Sequence, residues 1–105
     1  MARDQLTRQA DIMREIEEDV KELQADFLAL EIEHMRKGTM EARKALARVR
    51  KAFMEKRDEV RGALDRLGRA TGAARQEARE GVEAAWNALG EAFERAKGEL
   101  GGEED

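Results

Sequence analysis

One arrangement in this chain has the residue types and spacing of a ligand set: Glu31-Ile32-Glu33-His34. On a helix Glu31 and His34 lie three apart and share a face. In helical bundles that hold a pair of irons, such a Glu-x-x-His unit supplies each metal with a carboxylate and an imidazole. Glu33 or Glu41 would be the nearest acidic residues to complete a site. Against this chemistry, His34 is the single histidine, and Glu-x-x-His arises readily by chance in a chain so rich in glutamate. The second helix offers no obvious inward carboxylate. A structural histidine is the favoured reading, with Glu31 and His34 as metal ligands the alternative. A histidine at a core position would also weaken any interface it occupies on acidification.

Other chemistry has less to work with. There is no Cys, Ser or Tyr, and Thr7, Thr39 and Thr71 are the only hydroxyls. Ser or Cys triads are therefore excluded, as are disulfides and thiolate metal sites. Paired carboxylates cannot be told apart from ordinary solvated helix charges. The chain reads as a non-enzyme, and it implies no cofactor.

The elements that would position these residues are helical. At 105 residues the chain is at most one domain. It has no proline, 4% aromatic and 42% charged residues, which is the composition of long helices and coiled coils. β-Branched and aromatic residues are too few, and never alternate over a run, so strands are not expected. No signal-like apolar segment opens the chain and no apolar run is long enough to span a bilayer, so a cytoplasmic protein is expected.

From Leu6 the large apolar residues repeat every seven: Leu6, Met13, Val20 and Phe27 lead to His34 at one core position, while Gln9, Ile16, Leu23 and Leu30 hold the other. Sustained over four heptads, this is a coiled-coil signal. Alone, the arm would expose its apolar side chains, each worth roughly 1.5 to 3 kcal/mol when buried. It needs a partner. A second stripe follows, from Met35 through Leu46, Val49, Phe53 and Val60 to Leu67, interrupted by the charge of Lys56.

Between Leu28 and Thr39 the register slips, since Leu28, Ile32 and Met35 lie off the first stripe and lead into the second, and Gly38-Thr39 sits at the slip. A glycine ending one helix and a threonine capping the next would make a true break. With no proline and good helix formers on both sides, one continuous helix over 3–69 is favoured, tolerating Gly38 at about 1 kcal/mol. Gly68, Thr71 and Gly72 mark a turn at 70–72. The apolar spacing restarts with Trp86, Phe93 and Leu100 seven apart, and a last helix is expected over about 73–98. The acidic tail, 101–105, is expected to be disordered. The expected fold is all-α: a long helix and an antiparallel returning helix, a helical hairpin that assembles as a coiled-coil homo-oligomer.

Charge blocks give that assembly a direction. Residues 36–75 hold 13 Lys/Arg against 5 Asp/Glu, whereas residues 1–35 hold 4 against 10 and residues 76–105 hold 3 against 9. The returning helix sets acid against the basic middle within one chain. An antiparallel second copy would lay its own acidic arm on the rest, the self-complementary pattern of a twofold interface. The interface residues expected from this are Leu6, Met13, Ile16, Val20, Leu23, Phe27, Leu30, Phe53, Trp86 and Phe93. Charge would set orientation more than strength, because a surface ion pair is worth at most about 1 kcal/mol.

Two other partners fit the composition less well. Arg43, Lys44, Arg48, Arg50, Lys51, Arg57 and Arg61 form a basic helix that nucleic acid would meet. Yet the isoelectric point is about 5.2, and only Phe53 is interleaved for stacking. A membrane surface would be met by Trp86, Phe93 and Leu100, but their helix is acidic where interfacial helices carry Lys/Arg.

Glu55-Lys56-Arg57-Asp58-Glu59, the turn Ala70-Thr71-Gly72, and Gly81-Val82-Glu83-Ala84-Ala85-Trp86 continuing through Leu89 to Phe93 resemble a group of small bacterial coiled-coil proteins often labelled as stress-response proteins. The likeness covers the C-terminal half. It implies a turn at Gly72, packing roles for Trp86 and Phe93 and a stress-associated role, and it implies no catalytic residue. Members usually carry a second tryptophan where this chain has Arg75, which implies looser docking of the last helix's first turn.

Overall fold

The computed structural model describes residues 2–101, with side-chain surroundings for residues 8–100. The described residues are all helical, in three helices: α1 (Ala2–Met35), α2 (Met40–Arg69) and α3 (Ala74–Gly101). They run up, down and up in a rod of 56 × 20 × 18 Å. The rod is about one helix long, since 34 residues at 1.5 Å each span about 51 Å. Its radius of gyration, 16.7 Å, exceeds the roughly 13 Å of a compact chain near this length.

The continuous helix expected over 3–69 is not formed. Gly38 takes φ 65, the left-handed conformation that side chains other than glycine resist, and the Gly38 N–H donates to the Met35 carbonyl at 3.2 Å. One residue on, the Thr39 hydroxyl accepts from the Ala42 N–H at 3.0 Å and caps α2. Glycine and cap together satisfy both helix ends within four linker residues. Propensity favoured running through this point, but packing α1 back onto α2 buries far more than one misplaced glycine costs.

The second turn lies where it was expected. The Ala70 N–H closes α2 on the Leu67 carbonyl, Gly72 is left-handed at φ 60, and α3 begins at Ala74. That helix runs to Gly101, three residues beyond the expected end at Gly98. Residues 102–105 of the expected disordered tail lie outside the described residues, as does the Leu6 side chain.

The apolar stripes meet inside one chain. Gln9 donates to the Leu67 carbonyl at 3.2 Å, Arg61 to the Gln24 side chain at 3.3 Å, and Glu31 lies 3.7 Å from Arg50, so α1 runs antiparallel along α2. Phe27, Phe53 and Phe93, one from each helix, form the centre. The first two rings stack with centroids 4.3 Å apart and planes 7° from parallel. Phe93 tilts against Phe53 at 6.3 Å and 60°. Val20, Val49, Val60, Leu67, Val82 and Leu89 continue the core along the rod.

Apart from Leu6, the residues expected to form an interface therefore sit in or against the bundle's own core. Val20, Phe27 and Phe53 are buried, while Met13, Ile16, Leu23, Leu30, Trp86 and Phe93 pack against them partly buried. The arm that the sequence left bare is covered in cis. The hairpin is thus a three-helix bundle.

Candidate functional site

The linker-proximal end of the bundle holds both the Glu-x-x-His unit and an apolar concavity. The heptad that places Val20 and Phe27 inward also brings His34 inward, and both His34 and Glu31 are buried, at 6% and 7% exposure. His34 reaches across the linker, where its Nε2 donates to the Ala42 carbonyl at 3.1 Å. With the hydrogen on Nε2, Nδ1 is left as an acceptor, and it is buried without a hydrogen-bond partner. The Glu31 carboxylate lies 3.7 Å from the Arg50 guanidinium, whose side chain is otherwise mostly exposed.

These partners give Glu31 and His34 structural employment: one ties α1 to α2 by charge, the other fastens the hinge. Among the described residues no group of three His, Asp or Glu is placed to hold a metal ion. The arrangement supplies two potential ligands, and neither Glu33 nor Glu41, both exposed, completes a set.

Removing the cation should cost more than removing the pair. In Arg50→Met the Glu31 carboxylate stays buried with no counter-charge, which is expected to lower stability by about 1–3 kcal/mol. Glu31→Gln/Arg50→Met should recover part of that loss. Urea denaturation of the two variants checks this, and a double variant no more stable than the single would show that the pair is inconsequential.

Beside this pair lies a groove of about 630 Å³ between the end of α1 and the outer flank of α2. Met35, Ala42, Leu46 and Met54 give it an apolar floor, and Arg43, Arg50 and Lys51 bring positive charge to it. The apolar surface extends past the groove. Leu28, Ile32 and Met35, at 56%, 50% and 65% exposure, follow the i, i+4, i+7 spacing that puts them on one face of α1. Met40, 68% exposed, shares a face of α2 with Ala47 and Met54 at seven-residue spacing. The slipped register at Leu28, Ile32 and Met35 was visible in the sequence. Its meaning, a second apolar face on a helix whose first is already buried, depended on seeing the bundle closed.

The basic residues do not form one surface. Arg43, Arg50 and Lys51 line the groove beside the end of α1, whereas Arg48 and Lys56 lie on the flank of α2 that faces α3. Several are already engaged: Arg57 with Asp58 at 2.9 Å, Arg61 with Gln24 and Arg50 with Glu31. Trp86 and Phe93, the edge considered for membranes, are turned toward the core, with Lys97 above the Phe93 ring at 5.7 Å. Leu100 is buried. Among the described residues no helix is long and apolar enough to cross a membrane.

At the opposite end, Arg75 stands at the start of α3 where the resemblance would place a tryptophan. It is half-buried and its Nε has no hydrogen-bond partner. No family model, curated protein or solved structure matches the chain.

Proposed function

We propose that the protein is a non-enzymatic helical interaction protein of the cytoplasm that works by associating through helix faces, in the first place with itself. The observation that carries this reading is the open apolar face at the α1–α2 end, where Leu28, Ile32, Met35 and Met40 are all at least half exposed. Single exposed apolar side chains are ordinary, but a contiguous set rimmed by charge marks an interaction surface. No constellation on the described residues competes with it: the hydroxyls and the single histidine are too few for acid–base or nucleophilic work. A stress-associated role is the biological setting that the family resemblance suggests.

Native mass by light scattering, with metal content determined on the same sample, tests the proposal. The expected result is a metal-free homo-oligomer, an integer multiple of 11.9 kDa, forming as concentration rises. A folded monomer up to millimolar concentration would refute self-association. Stoichiometric zinc or iron, lost in His34→Ala, would instead make Glu31 and His34 part of a metal site.

A further inference from the structure

The geometry points to one occupant for the open face: a second copy of this chain, docked about a twofold axis so that α1 of each protomer lies against α2 of the other. This inference rests on the self-association proposed above and names its surface. Three observations carry it.

The first is extent. The groove alone, at about 630 Å³, matches a small amphiphile. Such a ligand would leave Leu28 and Ile32 on one side and Met40 on the other still in water. Covering all of them requires another elongated apolar face, and the chain carries one of the same length on the same two helices.

The second is charge. α1 carries 4 Lys/Arg and 10 Asp/Glu, and α2 carries 10 and 5. Among the described residues Glu31–Arg50 is the one ion pair joining them within the protomer, so most of this opposition is unspent. A twofold arrangement that sets α1 on α2 of the partner brings acid to base twice. One that sets like helix on like helix repels, so the charges select the antiparallel cross-pairing.

The third is spacing. Leu28, Ile32 and Met35 on α1, and Met40, Ala47 and Met54 on α2, repeat at helical intervals along their axes. Two such pairs of rows meet as an antiparallel four-helix layer, with the methionines filling irregular gaps.

Sedimentation equilibrium from micromolar to millimolar concentration tests the surface on the full chain, comparing wild type with Ile32→Lys. Ile32 is half exposed in the protomer, so circular dichroism should show Ile32→Lys still folded. The expected result is a wild-type dimer weakened about tenfold or more in Ile32→Lys, and weakened again by salt. Should Ile32→Lys fail to fold, Met40→Lys at the first position of α2 probes the same face with the same expectation.

A wild-type dimer that survives both substitutions would overturn this surface while leaving self-association intact. A wild-type monomer would overturn both. If that monomer instead binds anilinonaphthalene sulfonate, with binding lost in Lys51→Glu, the groove takes a small anionic amphiphile and not a second copy.

Discussion

Phe53→Ala should be the most damaging single substitution in this protein, lowering unfolding free energy by about 3–5 kcal/mol. Phe53 is fully buried, and it alone touches the aromatic ring of each other helix, stacked on Phe27 and tilted against Phe93. Truncation leaves a cavity at the middle of a thin rod, where no neighbouring layer is deep enough to collapse into it. Aromatic pairs add about 0.5–1.5 kcal/mol each beyond the area they bury, and both would be lost. Domains of this kind are stable by about 5–15 kcal/mol, so the variant is expected to be partly unfolded at physiological temperature. Urea titration followed by the fluorescence of Trp86, the single tryptophan, measures the loss. Trp86→Ala, followed by circular dichroism, should cost less because that side chain is only partly buried. If Phe53→Ala loses less than about 1 kcal/mol, the aromatic centre is not what holds the three helices together.

Gly38→Ala/Thr39→Ala should change the assembly. In the closed bundle Gly38 is left-handed and Thr39 caps α2. Alanine at 38 resists that conformation by roughly 1–2 kcal/mol, and loss of the threonine cap costs about 1 kcal/mol more. Both changes favour a helix running straight through, since alanine is the best helix former and the penalty for glycine disappears. A straight α1–α2 helix cannot cover its own arm, so each chain must lay its arm on a partner. The contacts recovered are those of the closed bundle, including Phe27 on Phe53, which makes exchange of the arm a low-cost route to a dimer.

The expected result is a doubled mass by light scattering with little change in helix content. Making the double substitution in an Ile32→Lys background separates this exchange from docking through the outer face, because Ile32 stays exposed in an exchanged dimer. A variant that remains a monomer there, still folded, would show that Gly38 and Thr39 merely follow the bend and do not decide it.

Much of the fold was legible. Helical class follows from composition and the turn at Gly72 from its glycines, while the core positions of Val20, Phe27 and Phe53 and the inward place of His34 follow from periodicity, because a seven-residue repeat has one inward face wherever its partner comes from. What periodicity does not carry is the identity of that partner. Met13 to Leu30 form the same stripe whether they pack on α2 of their own chain or of another, and the sequence-based preference for a second copy reflected only the straight helix assumed at Gly38. At that glycine two local rules, tolerance inside a helix and preference for a left-handed cap, differ by about 1 kcal/mol.

The candidate site was half legible. Glu31 and His34 stood out as a pair, but a three-residue spacing says only that they share a face. Their partners, Arg50 and the Ala42 carbonyl, come from the other side of the hinge. The same holds for the outer face: Leu28, Ile32 and Met35 appeared as a slip in register and became a surface only once Phe27 and Leu30 had been claimed by the core. Local composition and spacing thus determined that the chain would be helical and which side chains had to be buried. Tertiary structure decided what buries them and what is left uncovered, because burial is a property of a closed packing and a helix face cannot specify on which chain its complement lies.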